Sequence, residues 1–85
     1  MKLSFRAAGE GPPLVLLHAF PLSGGMWAPN FPALRERNLV VAPSLRGFGA
    51  SAEAPTATMD EMADDVAETL GALGIGKAVV CGCSM

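Results

Sequence analysis

Three apolar runs of four residues, at 14–17 (Leu-Val-Leu-Leu), 39–42 (Leu-Val-Val-Ala) and 78–81 (Ala-Val-Val-Cys), constrain the fold of this 85-residue chain more than any other feature. None alternates with polar residues, and short runs of that kind fit strands buried on both faces. Between the first two lies 27–38, with Arg35, Glu36 and Arg37 charged together. It reads as a short helix entered through Pro29 and Pro32, irregular at its start because two prolines crowd the first turns. Between the second and third runs, Thr58-Met59-Asp60-Glu61 has the capping-box spacing, so a helix is predicted to begin at Thr58.

Along that second helix, Met59, Met62, Ala63, Val66, Leu70 and Leu73 recur at three- and four-residue steps, and Gly74 or Gly76 is placed to end it. Asp60, Glu61, Asp64, Asp65 and Glu68 fall on the other faces. Acids in the first turns favour the positive end of the helix dipole, and the remainder read as a solvated face rather than a functional cluster. Ahead of the first run, Leu3, Phe5 and Ala7 alternate with Lys2, Ser4 and Arg6, which predicts an edge strand before the turn at 9–13. The predicted order is edge strand, buried strand, helix, buried strand, helix, buried strand. It implies an α/β fold with a mostly parallel sheet and right-handed crossover helices. The crevice of such a sheet lies beyond the C-terminal ends of its strands, where 18–27, 43–51 and 83–85 fall.

Composition excludes several classes of function. Half the residues are hydrophobic (51%) and only 16% are charged, so the chain is not disordered. The net charge is −2, and Lys2, Arg6, Arg35, Arg37, Arg46 and Lys77 are scattered, leaving no electrostatic footprint for nucleic acid. Runs of four apolar residues are far too short to span a bilayer. With no signal-like or anchoring segment, a cytoplasmic protein is expected. Cys81 and Cys83 stand two apart, too far in an extended chain for easy disulfide geometry. With His18 the single histidine they make no metal set, so buried, inert thiols are expected. At this length the chain is a small domain or a piece of something larger.

Ser84 directly follows the third run, with Gly82 two residues before it. In a nucleophile elbow a serine occupies a strained strand-to-helix turn that holds its hydroxyl above the sheet. The plainer alternative is a serine capping a following helix. At the end of the first run, His18-Ala19-Phe20-Pro21 can form a turn supplying one backbone N–H toward a developing oxyanion, and the residue after the nucleophile can supply the other. The His18 side chain itself reads as a core histidine bonded to loop backbone.

Taken together, these motifs resemble the α/β-hydrolase superfamily over essentially the whole chain. Residues 14–21 resemble its third strand and His-Gly-x-Pro oxyanion loop, 40–51 its fourth strand and Asp-x-Arg-Gly-x-Gly-x-Ser turn, and 78–85 its fifth strand entering the elbow. The resemblance implies that Ser84 is the nucleophile and that the backbone N–H groups of Phe20 and Met85 form the oxyanion hole. Arg46, Gly47, Gly49 and Ser51 would shape the turn, and Phe20 and Trp27 would line the acyl pocket, although core packing explains Trp27 equally well. No metal or cofactor is implied, and the partner is a small acyl substrate rather than nucleic acid or membrane.

Some positions depart from the pattern. Ala19 replaces a glycine, and Ser44 replaces an aspartate, removing a charge that could pair with Arg46 or accept hydrogen bonds in the turn. The family usually has one more strand before Leu3. Its triad runs serine, acid, histidine, and the last two would lie beyond residue 85, because His18 has no evident partner acid. The expectation is therefore residues 1–85 as the N-terminal part of one α/β-hydrolase domain, cut at the elbow. Dehalogenases and epoxide hydrolases of this fold carry aspartate at the nucleophile position and dienelactone-type enzymes carry cysteine. Serine implies an acyl-serine route on carboxylic esters or related acyl substrates. A cofactor-free perhydrolase or haloperoxidase-like enzyme and a non-catalytic truncated fragment are the alternatives.

Overall fold

The computed structural model describes residues 2–20, 22–51 and 58–83. Four strands form one sheet: β1 (Phe5–Ala8), β2 (Pro13–Leu17), β3 (Leu39–Pro43) and β4 (Val79–Gly82), in the order β1-β3-β2-β4. β2 pairs in parallel with β3, where Leu14 faces Val40, and with β4, where Leu16 faces Cys81. β1 runs antiparallel along β3 at one edge, with Arg6 opposite Ala42. The edge strand and the parallel centre thus follow the alternation before residue 8 and the apolar runs after it. After β3 the chain crosses over β2 to reach β4, so the C-terminal ends of β2 and β4 lie side by side. Open α/β sheets bind ligands in the crevice beyond the C-terminal ends of their strands.

Successive residues of a strand point to opposite faces, and the central strands are buried on both. Leu16, Val40 and Ala42 form the core of one face, covered by Leu14, Trp27, Phe31 and Leu34. Val15 and Val41 are fully buried on the other. The cover of the first face differs from the regular helix expected over 27–38. A 3-10 helix spans Gly24–Asn30 with Pro29 inside it, and only Phe31–Leu34 (α1) is α-helical. Pro32 sits in the first turn of α1, where its missing N–H costs nothing, while Pro29 upstream is held in the tighter helix. Arg35 to Arg37 lie beyond the helix, which Asn38 closes by donating Nδ2–H to the Leu34 carbonyl (2.9 Å).

The second helix, α2 (Met59–Ala72), begins at its capping box: the Glu61 N–H donates to Thr58 Oγ1 (3.1 Å) and the Thr58 N–H to Glu61 Oε1 (3.2 Å). It ends where Gly74 takes φ +76°, with the Ile75 N–H donating to the Leu70 carbonyl and the Gly74 N–H to that of Gly71. This is the paired-bond terminus that a left-handed glycine permits. The uniformly solvated acidic face does not hold. Asp65 and Thr69 are both 1% exposed, because Thr69 accepts the Leu3 N–H (2.9 Å) and Asp65 meets Arg46. No helix among the described residues is long and apolar enough to cross a membrane.

Two further expectations are corrected at β4. Its run reads like the buried ones, yet Val79 and Val80 are 66% and 55% exposed, and Cys81 and Cys83 are exposed free thiols rather than buried ones. Among the described residues β4 pairs with β2 alone, so this run lacks the second neighbour that β2 and β3 have.

Candidate active site

The site grows from the C-terminal ends of β2, β3 and β4. His18, immediately after β2, is 1% exposed, and both ring nitrogens are engaged. The Leu45 N–H donates to Nε2 (2.9 Å), which leaves the proton on Nδ1, facing the Ala19 carbonyl at 3.0 Å. The ring therefore staples the loop after β2 to the loop after β3. With no free lone pair it cannot serve as a general base where it stands, in keeping with the structural role read from the sequence.

The loop after β2 is held at several further points. The Ala19 carbonyl also accepts the Leu22 N–H (2.8 Å), and the Ala19 N–H donates to Met26 Sδ (3.2 Å). The Gly24 N–H donates to Ser44 Oγ (3.1 Å). Among the described residues nothing accepts from the Phe20 N–H. The Phe20 side chain is 63% exposed and meets Phe48 edge-on (centroids 5.7 Å apart, 89°), and Phe48 meets His18 in the same manner (5.4 Å, 73°).

In the loop after β3, Ser44 supplies the acceptor that the absent aspartate would have offered, since its hydroxyl takes the Gly24 N–H. Arg46 finds its carboxylate elsewhere. Its guanidinium donates to Asp65 of α2 through Nε (2.7 Å) and Nη2 (2.8 Å), with Glu61 at 3.5 Å. The Arg46 hydrogen bonds hold the Asp65 carboxyl down to about 2 despite its burial, and Asp65 in turn raises the Arg46 guanidinium. Gly49 (φ +52°) lies so close to Ser23 and Ser44 that a Cβ would fall 2.8 Å from the Ser23 Cβ. Ser51 accepts the Ser4 N–H (3.1 Å), tying the turn to the segment before β1.

β4 brings the third element. Gly82 lies opposite Leu17, and the Cys83 N–H continues the ladder by donating to the Leu17 carbonyl (3.1 Å). Cys83 is thus beside the start of the His18 loop. Ser84, Met85 and Pro21 lie outside the described residues. An open, largely apolar cavity of about 420 Å³ runs between α2 and these strand ends, lined by Met59, Met62 and Val66 on one side and Leu17, His18 and Cys83 on the other.

Of the residues expected at the site, Phe20 and the strand preceding Ser84 are brought together at adjacent strand ends. Trp27 packs on Leu16, Val40 and Ala42, on the sheet face opposite Leu17 and the cavity. Its buried Nε1 has no partner among the described residues. Sequence reasoning missed Met26, Phe48 and Asp65 as partners of the loops. Only Asp65 left a signal: three residues after Met62 and four before Thr69, it borders the apolar stripe of α2 rather than the solvated side.

A family model of the alpha/beta hydrolase fold matches residues 12–85. The chain belongs to the α/β-hydrolase family. It is 45% identical over 95% of its length to a soluble epoxide hydrolase of Corynebacterium sp., of which it spans 29%. Among solved structures it resembles the enol-lactonase of Burkholderia xenovorans (TM-score 0.91, 35% identity, 98% of this chain and 34% of that one). It also resembles a thermophilic esterase of Thermogutta terrifontis (TM-score 0.86, 41% identity, 96% and 31%). This α/β-hydrolase chain therefore covers about a third of the length of its relatives.

Proposed function

We propose that this chain is the N-terminal part of a serine hydrolase acting on carboxylic esters or related small acyl substrates, with Ser84 as nucleophile. The observation that carries the reading is the peptide between Ala19 and Phe20. Its carbonyl is occupied by two donors while its N–H is unclaimed among the described residues, at the end of the strand that pairs with β4 as far as Cys83. A preset backbone donor at that place suits a carbonyl oxygen gaining negative charge, and Met85 supplies the second N–H in this reading.

In the reaction the Ser84 oxygen attacks the acyl carbon and the carbonyl oxygen takes the negative charge. The bond to the leaving alcohol then breaks, and the serine proton passes through a base to that alcohol. Water attacks the acyl-serine, releasing the carboxylic acid and restoring the hydroxyl. Because both nitrogens of His18 are engaged, base and acid come from beyond residue 85.

Serine at position 84, where the family resemblance implies aspartate in epoxide hydrolases, supports acyl transfer over epoxide opening despite the 45% identity to an epoxide hydrolase. The esterase and enol-lactonase among the similar structures support the same side. The test is an activated ester, such as a p-nitrophenyl ester, given to the complete gene product. A stoichiometric burst abolished by Ser84→Ala is expected, with no turnover of an epoxide. A burst that survives Ser84→Ala would overturn the reading, and peroxide as acyl acceptor in the same assay separates a perhydrolase from an esterase.

A further inference from the structure

The Ala19 N–H has an unusual partner. A backbone N–H at the end of a central strand is normally taken by a carbonyl, yet this one donates to the thioether of Met26, seven residues on, at 3.2 Å. We infer that Met26 is a positioning residue for the oxyanion donor, its sulfur setting the peptide that carries the Phe20 N–H. The inference rests on the serine-hydrolase reading above and deepens it.

Peptide units are planar and trans, so an N–H points opposite to the carbonyl of the same unit. The unit between Ala19 and Phe20 has its carbonyl turned toward His18 Nδ1 (3.0 Å) and the Leu22 N–H (2.8 Å), so its N–H points away from both. The preceding unit, between His18 and Ala19, is held by its N–H on Met26 Sδ. With both flanking units tied, the two soft dihedrals of Ala19 have little freedom, and the direction of the Phe20 N–H follows from them. Ala19 has a Cβ where the family pattern has glycine, yet no non-glycine residue described has positive φ, so the loop meets this geometry without backbone strain.

Loss of the sulfur frees the first unit to rotate. Rotation of Ala19 then turns the second unit, and a half-turn there would put a carbonyl oxygen where the donor is needed. Met26 itself lies in the 3-10 helix Gly24–Asn30, whose first residue is anchored to Ser44, so the sulfur is presented from a fixed platform. Methionine is more often a gap-filler in a core. Here the half-buried side chain supplies the acceptor for a specific backbone donor, and that separates the two roles in experiment.

In the complete protein, Met26→Leu keeps the volume and removes the acceptor, while Met26→Asn places a carbonyl oxygen at the δ position. Removing an oxyanion donor outright lowers kcat by about 10²–10³; a donor retained but released from its setting should cost about tenfold. We expect Met26→Leu to lower kcat per burst-titrated site about tenfold with KM little changed, because the oxyanion forms only in the transition state. Affinity for an alkylboronic acid, whose serine adduct is tetrahedral, should fall in parallel, and Met26→Asn should recover part of both.

Unchanged kcat per titrated site in Met26→Leu overturns the inference, as does an equal loss in both variants, which would mark a packing role. Should Met26→Leu not fold, amide exchange in the wild-type protein decides. The Ala19 amide should be protected without ligand and the Phe20 amide only in the boronate adduct; an unprotected Ala19 amide overturns the inference. A wild-type protein lacking a Ser84-dependent burst removes the serine-hydrolase reading and this inference together, whereas an intact burst with an indifferent Met26 removes the inference alone.

Discussion

Removing the arginine from the Arg46–Asp65 pair should destabilise the protein far more than removing the aspartate. Asp65 is 1% exposed and takes two hydrogen bonds from a guanidinium that itself keeps 15% of its side-chain surface in solvent. In Arg46→Gln the buried carboxylate loses both guanidinium hydrogen bonds, the largest of the influences that favour its charge. Breaking a buried pair costs about 3–5 kcal/mol when the remaining charge is left uncompensated; the partial exposure of Arg46 and the other contacts of Asp65 favour the lower end, about 3 kcal/mol. In Asp65→Asn the guanidinium can turn outward to water and Glu61, so the loss is that of hydrogen bonds to a charged group, about 1.5 kcal/mol. In a protein about three times the length of this chain, as its relatives are, each kcal/mol is worth about 2–4 °C, so Arg46→Gln should lower Tm by about 6–12 °C and Asp65→Asn by about half that or less. Arg46→Met/Asp65→Leu should recover part of the loss, since an apolar pair leaves no buried charge.

The pH dependence gives the same pair a sign. The Asp65 carboxyl is depressed from 3.8 to about 2, so its stabilising contribution is present above 3.8 and lost as pH falls through 2. In Arg46→Gln the largest cause of that depression is gone, so the carboxyl moves back toward its ordinary value and the variant should lose less stability than the wild type as pH falls toward 3. Thermal unfolding between pH 3 and 7, followed by circular dichroism, measures both effects. Equal Tm losses for Arg46→Gln and Asp65→Asn, with parallel pH profiles, would mean that Arg46 is not what keeps the buried Asp65 carboxylate charged.

Two further outcomes are expected. His18→Leu leaves the Leu45 N–H buried without its acceptor, which should cost about 1–3 kcal/mol in urea unfolding; an unchanged midpoint would mean that the staple between the loops is dispensable. The 85-residue polypeptide made alone should associate, because Val79, Val80 and Met59 are exposed and β4 is an unpaired edge. Light scattering of a monomer with a sharp two-state melt would contradict this.

The parts of the fold that could be read from the sequence are those decided locally. The 14–17 and 39–42 runs became the buried centre of the sheet, and Thr58 with Glu61 started α2 as written. At the site, His18 could be read as structural because an isolated histidine after a buried strand has loop backbone as its nearest polar company. What could not be read depended on a second element. The 78–81 run has the same character as its two counterparts, and its exposure reflects what packs against β4 among the described residues of a chain about a third of its relatives' length, not the run itself. Asp65 looks like its acidic neighbours until Arg46 arrives from the loop after β3. Met26 looks like filler until the Ala19 N–H turns toward it.

The division of labour between apolar and polar contacts explains why the loops can be well set although a cavity lies between α2 and the strand ends. Burial of Leu16, Val40 and Ala42 under Trp27, Phe31 and Leu34 holds the sheet from one side. On the other, α2 is fastened by two polar anchors, Thr69 on the Leu3 N–H and Asp65 on Arg46, rather than by its apolar stripe. That leaves Met59, Met62 and Val66 facing the cavity beside His18 and Cys83. The bonds through His18, Ser44 and Met26 hold the loop after β2 without using any residue of that stripe. Changes in the shape of the cavity wall can therefore alter what fits beside the strand ends while the direction of the Phe20 N–H stays as it is.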